Sequence, residues 1–185
     1  MKKIILTNLL FLLLSASFIS YSFGLPAQDV QVVTDAQYFQ VAKKMIQNTK
    51  TSIQVMMFEM RYYDEHPNSP SNLLVKELID AKKRGVRVEV ILEVREDEDP
   101  TTQANRRTGK ILSEGGVEVI YDPLFKTTHA KLLIADGELS LLGSTNWTYH
   151  ALTNNNEVCA LIRSKEVAKE LVDYFNRVKA MGSKQ

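Results

Sequence analysis

The sequence predicts an α/β fold in which one mixed β-sheet is flanked by helices on both faces. Up to about residue 122, runs with β-strand composition alternate with amphipathic helical segments, an order typical of strands connected by helices. The rest of the chain predicts a hairpin, a strand and a helix, which add antiparallel strands to the sheet. The chain has 185 residues, of which 44% are hydrophobic and 24% charged, and this fits one domain. We place that domain at residues 25–185.

Hydrophobic periodicity and capping residues predict the individual elements. Strands are predicted at residues 30–35, 52–60, 86–94 and 117–122. Helices are predicted from an N-cap at Asp35 to residue 47, from Ser71 to Gly85, and from about residue 102 to 113. After the hairpin come a strand within "NNNEVCALIRS" and a helix from about residue 165 to 181.

Residues 1–24 differ from the rest of the chain and are typical of a signal peptide. Two lysines precede an uncharged apolar run, and the small residues Ser22 and Gly24 stand where cleavage before Leu25 requires them. An uncleaved membrane anchor is the alternative, because about 20 apolar residues can span a bilayer. With the lysines on the cytoplasmic side, the domain lies across the membrane in either case. We therefore expect a secreted or periplasmic protein, or one anchored to the membrane through this segment with its domain on the non-cytoplasmic side.

The charge balance excludes a protein that holds a polyanion through its overall positive charge. Loss of residues 1–24 removes two lysines and no acid, so 23 basic and 22 acidic residues become 21 and 22, a net charge of minus one. A local basic cluster would have to bind a nucleic acid. The candidates for it are Arg106, Arg107, Lys110, Lys82, Lys83, Arg84 and Arg87. The last four also fit the basic end of a helix that complements the helix dipole.

The stretch "THAKLLIADGELSLLGSTN", residues 128–146, has polar residues at both ends and an apolar middle. Asp136-Gly137 predicts a two-residue hairpin turn, because a type I′ turn needs positive φ at both central positions. Pairing outward from this turn sets His129 opposite Ser144, and a slip of the turn by one residue sets His129 opposite Asn146. Both registers put four polar side chains on one face of the sheet, namely His129, Lys131, Ser144 and Asn146. At about 3.3 Å per strand residue, Asp136 would lie roughly 16 Å from Lys131, and we interpret it as a turn residue.

A face with an imidazole, an ammonium, a hydroxyl and an amide is suited to bind and cleave a phosphate ester. Lys131 supplies positive charge, and Ser144 and Asn146 supply neutral hydrogen-bond donors. His129 is able to attack phosphorus or to transfer protons near neutral pH. Glu157, the next acid that enters a strand, is placed to accept a proton from one imidazole nitrogen and leave the other free. The pattern therefore indicates a phosphoryl-transfer site at the open end of the hairpin.

These residues resemble the HKD motif of the phospholipase D superfamily. The spacing is that of the complete motif: His129-x-Lys131, four residues, Asp136, six residues, then Gly143-Ser144-x-Asn146. A leader, one motif per chain, a helix that ends in "AKKRGV" and a Glu eleven residues after the motif Asn are similar to the small bacterial endonuclease branch. The resemblance covers residues 30–181.

The resemblance implies an α/β/α sandwich that acts as a phosphodiesterase without a metal ion or another cofactor. In such enzymes one histidine forms a phosphohistidine intermediate, and another protonates the leaving oxygen and then activates water. The implied catalytic residues are His129, Lys131, Asn146 and Glu157, the implied phosphate-binding residues are Lys131, Ser144 and Asn146, and the structural members of the motif are Asp136 and Gly143.

One motif in the chain leaves the second histidine to be supplied. A two-step displacement needs both a nucleophile and an acid, and His66 and His150 lack the accompanying Lys, Ser and Asn. We therefore expect a homodimer in which two copies of His129 meet across a two-fold axis and share one active site. Which copy is the nucleophile and which is the acid stays open.

Three functions fit this site. The first is an endonuclease of low sequence specificity that acts on DNA or RNA. The second is a phospholipase D that acts on phospholipid, with the leader as a membrane tether. The third is an inactive module that binds nucleic acid or a membrane, and an intact nucleophilic histidine argues against it.

Two polar loops, "RYYDEHPNSP" and "REDEDPTTQ", follow the second and third predicted strands, where substrate loops are expected. Both fit a solvated rim. The first also fits a lid whose Tyr62, Tyr63 and His66 stack on a base or on a lipid head group.

Overall fold

The computed structural model describes residues 24–184, which form the predicted α/β fold. Its strands are β1 (Asp29–Thr34), β2 (Ser52–Met57), β3 (Arg87–Leu92), β4 (Glu118–Tyr121), β5 (Lys131–Ala135), β6 (Leu139–Gly143), β7 (Val158–Arg163) and β8 (Ser183–Lys184). Its helices are α1 (Gln37–Asn48), α2 (Pro70–Lys83), α3 (Pro100–Glu114), α4 (Tyr149–Thr153) and α5 (Lys165–Met181). The predicted signal peptide or anchor, except for Gly24, lies outside the described residues. Among the described helices, none combines the length and the apolar character that crossing a membrane requires.

A mixed sheet of eight strands runs through residues 24–184 in the order β1-β7-β6-β5-β2-β3-β4-β8. β2, β3 and β4 are parallel, and the other neighbouring pairs are antiparallel. Met57 at the end of β2 pairs with Lys131 at the start of β5, and Gly143 at the end of β6 pairs with Cys159 in β7. The carboxyl ends of the parallel strands and the open end of the β5–β6 hairpin therefore meet at one edge of the sheet, which we call the carboxyl edge.

Helices cover both faces of the sheet, as predicted. Along β2, Val55 and Met57 pack with residues of α1, α2 and α3, whereas Met56 packs with residues of α5. This alternation follows from the two-residue period of a strand. The α5 face is closed by Ala168, Phe175 and Val178. Apolar packing on both faces makes the sheet a firm support for the residues at the carboxyl edge.

The β5–β6 hairpin pairs in neither of the two predicted registers. Ala135 pairs with Leu139, which leaves a loop of residues 136–138 instead of a two-residue turn. Asp136 and Gly137 have positive φ values of 54° and 62°, as the predicted turn required. Within this loop the Glu138 amide still donates to the Ala135 carbonyl at 3.1 Å, and the Asp136 carboxylate accepts from the amides of Thr51 and Ser52.

The observed register changes which side chains share a face. Lys131 lies on the same face as Leu133, two residues further along β5, and as Leu141, which pairs with Leu133. Ser144 and Asn146 follow Gly143, the last residue of β6, and therefore lie in the chain beyond the strand. The prediction that they share a strand face with Lys131 was wrong. Ser144 contacts Glu157 and Asn146 contacts the backbone of Glu59, both at the carboxyl edge.

Two other local predictions differ from the structure. Asp35 is not the N-cap of α1, because it has a φ of 52° and Ala36 occupies the cap position. The Asp35 carboxylate instead accepts a hydrogen bond from the Glu157 amide at 2.9 Å. Helix α4 and strand β8 were not predicted, since elements of five and two residues are too short for periodicity to reveal.

Candidate active site

His129 lies in the segment that leads into β5, with its side chain exposed to solvent. Its ring packs against Phe58, which follows β2, with the ring centroids 4.5 Å apart and the planes tilted by 60°. The Phe58 amide donates to the Ala130 carbonyl at 3.1 Å, so the pairing of β2 with β5 continues up to the histidine. A strand end and an aromatic ring therefore position an accessible imidazole.

Lys131 is the first residue of β5, and only 7% of it is exposed. Its Nζ donates to the His129 carbonyl at 2.8 Å and lies 4.8 Å from the centre of the Phe58 ring. Burial lowers the pKa of Lys131, and the charge of Glu157 opposes that shift. Within residues 24–184, Lys131 forms no ion pair with a carboxylate. The buried ammonium is therefore available to bind an anion.

The charges around His129 favour its neutral form. The positive charge of Lys131, then burial, then the charge of Arg95 lower the pKa of His129. Arg95 follows β3, and its guanidinium carbon lies 5.2 Å from the centre of the Phe58 ring. At neutral pH the imidazole therefore keeps the lone pair that attack on phosphorus requires.

Ser144 and Glu157 form a hydrogen-bonded pair at the carboxyl edge. Ser144 Oγ donates to Glu157 Oε2, and the Val158 amide donates to Ser144 Oγ at 3.1 Å. Asn155 Nδ2 donates to the other carboxylate oxygen of Glu157 at 3.1 Å. In the described part of the chain, Glu157 thus contacts a motif serine and no histidine. Its orientation of a histidine stays a prediction for the assembled site.

Asn146 connects the motif to the loop that follows β2. Its Oδ1 accepts from the Glu59 amide at 3.3 Å, and the Trp147 amide donates to the Glu59 carbonyl at 3.0 Å. Asn146 Nδ2 has no protein acceptor among residues 24–184. The amide group is therefore held by its oxygen and presents a neutral donor for a ligand.

Asp136 and Gly143 have structural contacts. The Asp136 carboxylate accepts from the amides of Lys50 (3.0 Å), Thr51 (2.7 Å) and Ser52 (3.1 Å) and from Thr51 Oγ1 (2.7 Å). Burial opposes ionisation of Asp136, but these hydrogen bonds outweigh it and lower the pKa. A Cβ on Gly143 would lie 2.5 Å from the Val158 carbonyl oxygen, so only glycine allows β7 to approach this closely.

The predicted basic cluster is largely paired with acids. Arg107 forms an ion pair with Asp64 in the first polar loop, and Arg106 pairs with Asp97 in the second at 3.1 Å. The remaining pairs join Lys83 to Asp80, Arg87 to Glu89 and Lys110 to Glu114. The acidic loops therefore neutralise the arginines of α3 and leave no broad positive surface there.

The first polar loop is bound to the helices by buried polar side chains. Asn72 exchanges hydrogen bonds with the backbone of Tyr63, at 2.9 Å and 2.7 Å, and Ser71 Oγ donates to the Arg61 carbonyl at 2.6 Å. Thr108 Oγ1 accepts from the Tyr62 amide at 3.0 Å. These bonds fit a fixed wall better than a lid that opens.

Phe58 and Arg95 are site residues that sequence reasoning missed. Each directly follows the carboxyl end of a parallel strand or its short extension, where ligands bind in open α/β sheets. That rule was the available signal, but it does not tell which of several residues after a strand will contact His129.

Residues 24–184 contain no group of three or more His, Cys, Asp or Glu side chains arranged to hold a metal ion.

Comparisons with solved structures support the fold. Nuc from Salmonella typhimurium, a phospholipase D family member, superposes with a TM-score of 0.72 at 24% identity, covering 85% of this chain and 97% of that one. NucT from Helicobacter pylori superposes with a TM-score of 0.68 at 16% identity, covering 85% of this chain and all of that one.

Sequence comparisons identify the family. The chain is 28% identical over 142 residues to the virion nicking-joining enzyme of Vaccinia virus (strain Copenhagen), covering 74% of this chain and 32% of that protein. It is 31% identical over 96 residues to the mitochondrial cardiolipin hydrolase of Canis lupus familiaris, covering 52% of this chain and 36% of that protein. The chain thus spans about a third of the length of these relatives. The family profile described as "Cardiolipin synthase, PLD-like domain" matches residues 42–179. The chain belongs to the phospholipase D superfamily of PLD-like domains.

Proposed function

We propose that this chain is a metal-independent phosphodiesterase that cleaves nucleic acid with low sequence specificity. The observation that carries the proposal is the pairing of an exposed, neutral His129 with the buried ammonium of Lys131 on one aromatic ring, Phe58. A neutral imidazole is a nucleophile, and a buried cation attracts the negative charge that grows on phosphorus oxygens during attack.

The reaction has two displacements. In the first, an imidazole nitrogen of His129 forms a bond to phosphorus while the bond to the leaving oxygen breaks, and that oxygen takes a proton from a second histidine. In the second, water gives a proton to that second histidine and attacks phosphorus, which breaks the phosphorus–nitrogen bond. Lys131 and Asn146 donate to the phosphate oxygens, and the Ser144 hydroxyl, which otherwise donates to Glu157, turns to donate to them when phosphate binds.

A second copy of the chain supplies the other histidine in this proposal. An exposed apolar sheet face supports such an assembly: Val30, Val32 and Val158 are 57%, 71% and 59% exposed. The register places them on the α5 side, since Val32 pairs with Ala160, Ala160 pairs with Leu142, and Leu142 packs on the α5 core. Val158 directly follows Glu157, so this face extends to the site. A partner that covers the valines removes apolar surface from water.

Sedimentation and activity test the shared site. We expect the wild-type domain to sediment as a dimer, and Val32→Asp to dissociate it and abolish turnover with little change in melting temperature. Leu25→Asp, at another exposed apolar position, is the matched control and should leave both unchanged. A wild-type monomer with full turnover would overturn the shared site.

A cleft beside the motif supports nucleic acid as the substrate. It has a volume of about 820 Å³, and its lining includes Arg61, Glu65 and the rings of Tyr63, His66, Tyr149 and His150, but no residue of the motif itself. The Arg61 amide donates to the carbonyl of Trp147, the residue after Asn146, at 2.9 Å, so the cleft adjoins the phosphate donors. Flat rings next to a phosphate site are suited to stack on the bases of a single strand.

A phospholipid substrate is the second candidate, and one observation favours it. Leu124 and Phe125 are 73% and 79% exposed in the loop between β4 and His129. Exposed apolar side chains beside a phosphate site are suited to enter a lipid surface. The relative named cardiolipin hydrolase fits the phospholipid candidate, and the relative named nicking-joining enzyme fits the nucleic-acid candidate.

A substrate panel in chelator separates the candidates. The mature domain is incubated in EDTA with single-stranded DNA, double-stranded DNA, RNA, and vesicles of phosphatidylcholine or cardiolipin. We expect cleavage of nucleic acid, loss of it in His129→Asn, and its retention in Lys76→Asn, which changes an exposed side chain of α2 outside both the motif and the cleft. Cleavage of vesicles alone, reduced by Phe125→Ser, would favour the phospholipase. Loss of all activity in EDTA would overturn the metal-free mechanism.

A further inference from the structure

Two buried carboxyl groups anchor the segment that carries His129. Glu93 follows β3 and Asp122 follows β4, and the two residues are 1% and 2% exposed. The amide of Thr128 donates to Glu93 Oε2 and also to Asp122 Oδ2, the latter at 3.0 Å. One backbone N–H, directly before His129, is therefore held by both carboxyl groups.

The same two acids also bind the segment that follows β3. Glu93 Oε1 accepts from Arg95 Nε at 3.1 Å, and the Arg95 guanidinium lies over the Phe58 ring on which His129 packs. Asp122 Oδ1 accepts from the Val94 amide at 2.8 Å. One carboxyl oxygen of Glu93 thus accepts from the Thr128 amide, directly before His129. The other accepts from Arg95, which lies over the Phe58 ring that packs against His129.

Buried polar contacts hold this cluster in place. Asn105 of α3 donates from Nδ2 to the carbonyls of Phe58 and Glu93, both at 2.8 Å, and accepts from the Met60 amide at 2.8 Å. The ends of β2 and β3 are therefore fixed relative to each other. Because the Asn105 hydrogen bonds fix these strand ends, a change at Glu93 is transmitted to His129 through the backbone of Thr128.

The geometry of the pair favours one shared proton on the two acids. Two ionised carboxylates that accept from the same N–H, both almost fully buried, would repel each other and lose hydration. Burial, followed by the hydrogen bond with Asp122, raises the pKa of Glu93 to about 7.

The charged groups around the pair come from four parts of the chain. Arg95, from the segment after β3, is the cation that bonds to Glu93. Lys126, in the loop after β4, and Arg177 of α5 line the cleft on the other side of Thr128. Lys131, in β5, lies near the Phe58 ring, which also packs against His129. None of these cations pairs with Asp122 among the described residues, so a shared proton is the means left to neutralise the second acid.

We propose that Glu93 is a positioning residue for His129, and that Glu93 and Asp122 share one proton whose release leaves two mutually repelling buried charges at the Thr128 amide. The functional part of this inference rests on the proposed role of His129 as nucleophile. With the proton in place, the pair carries one negative charge, balanced by Arg95. Without it, two buried negative charges lie next to the His129 segment, which moves the imidazole and favours its protonated form.

The pH titration of the Thr128 amide resonance tests the pair without any assay of turnover. In the wild-type domain we expect its amide shift to titrate with a midpoint near pH 7. Glu93→Gln and Asp122→Asn should each remove this step, because either change leaves a single carboxyl group. Glu89→Gln is the matched control, since Glu89 is also a buried acid of β3 but pairs with Lys179 and Arg87 away from the site. A flat wild-type titration between pH 5 and 9 would overturn the shared proton, whether or not the variants fold.

Steady-state kinetics tests the positioning role. Glu93→Gln should lower kcat by about tenfold or more, with KM within about twofold, because a small misplacement of a reacting group affects the chemical step most. The alkaline decline of kcat near pH 7 to 8 in the wild type should be absent in this variant. Wild-type kcat with an unchanged pH profile in Glu93→Gln would refute the role. If His129→Asn retains turnover, the proposed function fails, while the Thr128 titration still reports on the acid pair.

Discussion

The two ends of the β5–β6 hairpin carry polar residues that are bonded in opposite ways. At the tip, the Asp136 carboxylate accepts four hydrogen bonds from residues 50–52 and is satisfied within the chain. At the open end, the Lys131 ammonium is buried with one carbonyl acceptor and no ion pair in the described residues, and His129 is exposed. A saturated polar group stabilises a fold, whereas an under-paired buried charge is stable only at a cost and marks a binding site.

The largest effect that would sharpen this comparison is expected at Lys131. Lys131→Met should lower kcat/KM by about 100-fold or more, since it removes a preorganised charge from the phosphate site. The melting temperature should stay the same or rise, because an unpaired buried charge is replaced by an apolar side chain of similar length. Parallel measurements of turnover and thermal unfolding check this. A large loss of stability would mean that Lys131 mainly supports the fold.

Asp136 should respond in the opposite way. Asp136→Asn keeps the shape of the side chain but weakens its charged hydrogen bonds to the backbone, and the free energy of unfolding should fall by about 1 kcal/mol. The kcat of the folded protein should be unchanged, because Asp136 lies at the other end of β5 from Lys131. Urea unfolding and steady-state kinetics give the two values. A catalytic loss without a change in unfolding would show that the tip takes part in the reaction.

A smaller effect is expected in the pH profile. Lys131 and Arg95 lower the pKa of His129 below its usual 6.5. Because the neutral imidazole is the nucleophile, kcat/KM should rise with pH through that lowered pKa. It should reach its plateau at a lower pH than it would with a histidine of ordinary pKa. Salt screens charges near an exposed imidazole, so the acid limb should move up toward pH 6.5 in about 1 M NaCl. If the midpoint of the acid limb is already at pH 6.5 in low salt, the charges of Lys131 and Arg95 do not lower the pKa of His129.

Periodicity along the chain was enough to predict most of the fold. The final helix was predicted at about residues 165–181 and observed as Lys165–Met181, because an amphipathic stripe over 17 residues is a strong local signal. The strands β2, β3 and β4 were likewise predicted from β-rich runs. The positive φ of Asp136 and Gly137 also followed from local residue preference.

Pairing and packing could not be predicted in the same way. The Asp136 carboxylate accepts from a segment more than 80 residues away in the chain, a contact that residue spacing does not reveal. The contact of Glu157 with Ser144 and the ion pair of Arg107 with Asp64 also join residues that are 13 and 43 positions apart in the chain. Sequence spacing carries no information on which distant partner a charged side chain will meet.

The order of the elements and the identity of the groups at the site, His129, Lys131, Ser144 and Asn146, follow from local chemistry, since residue type and spacing fix what each group is able to donate, accept or attack. Three-dimensional folding decided which of them are exposed, which are buried and which are already bonded. It brought Phe58, Arg95, Glu93 and Asp122 to the same edge as His129, because the carboxyl ends of parallel strands meet there regardless of their distance in the chain. Burial and charge then act through these neighbours, and they make the imidazole neutral and leave the Lys131 ammonium under-paired.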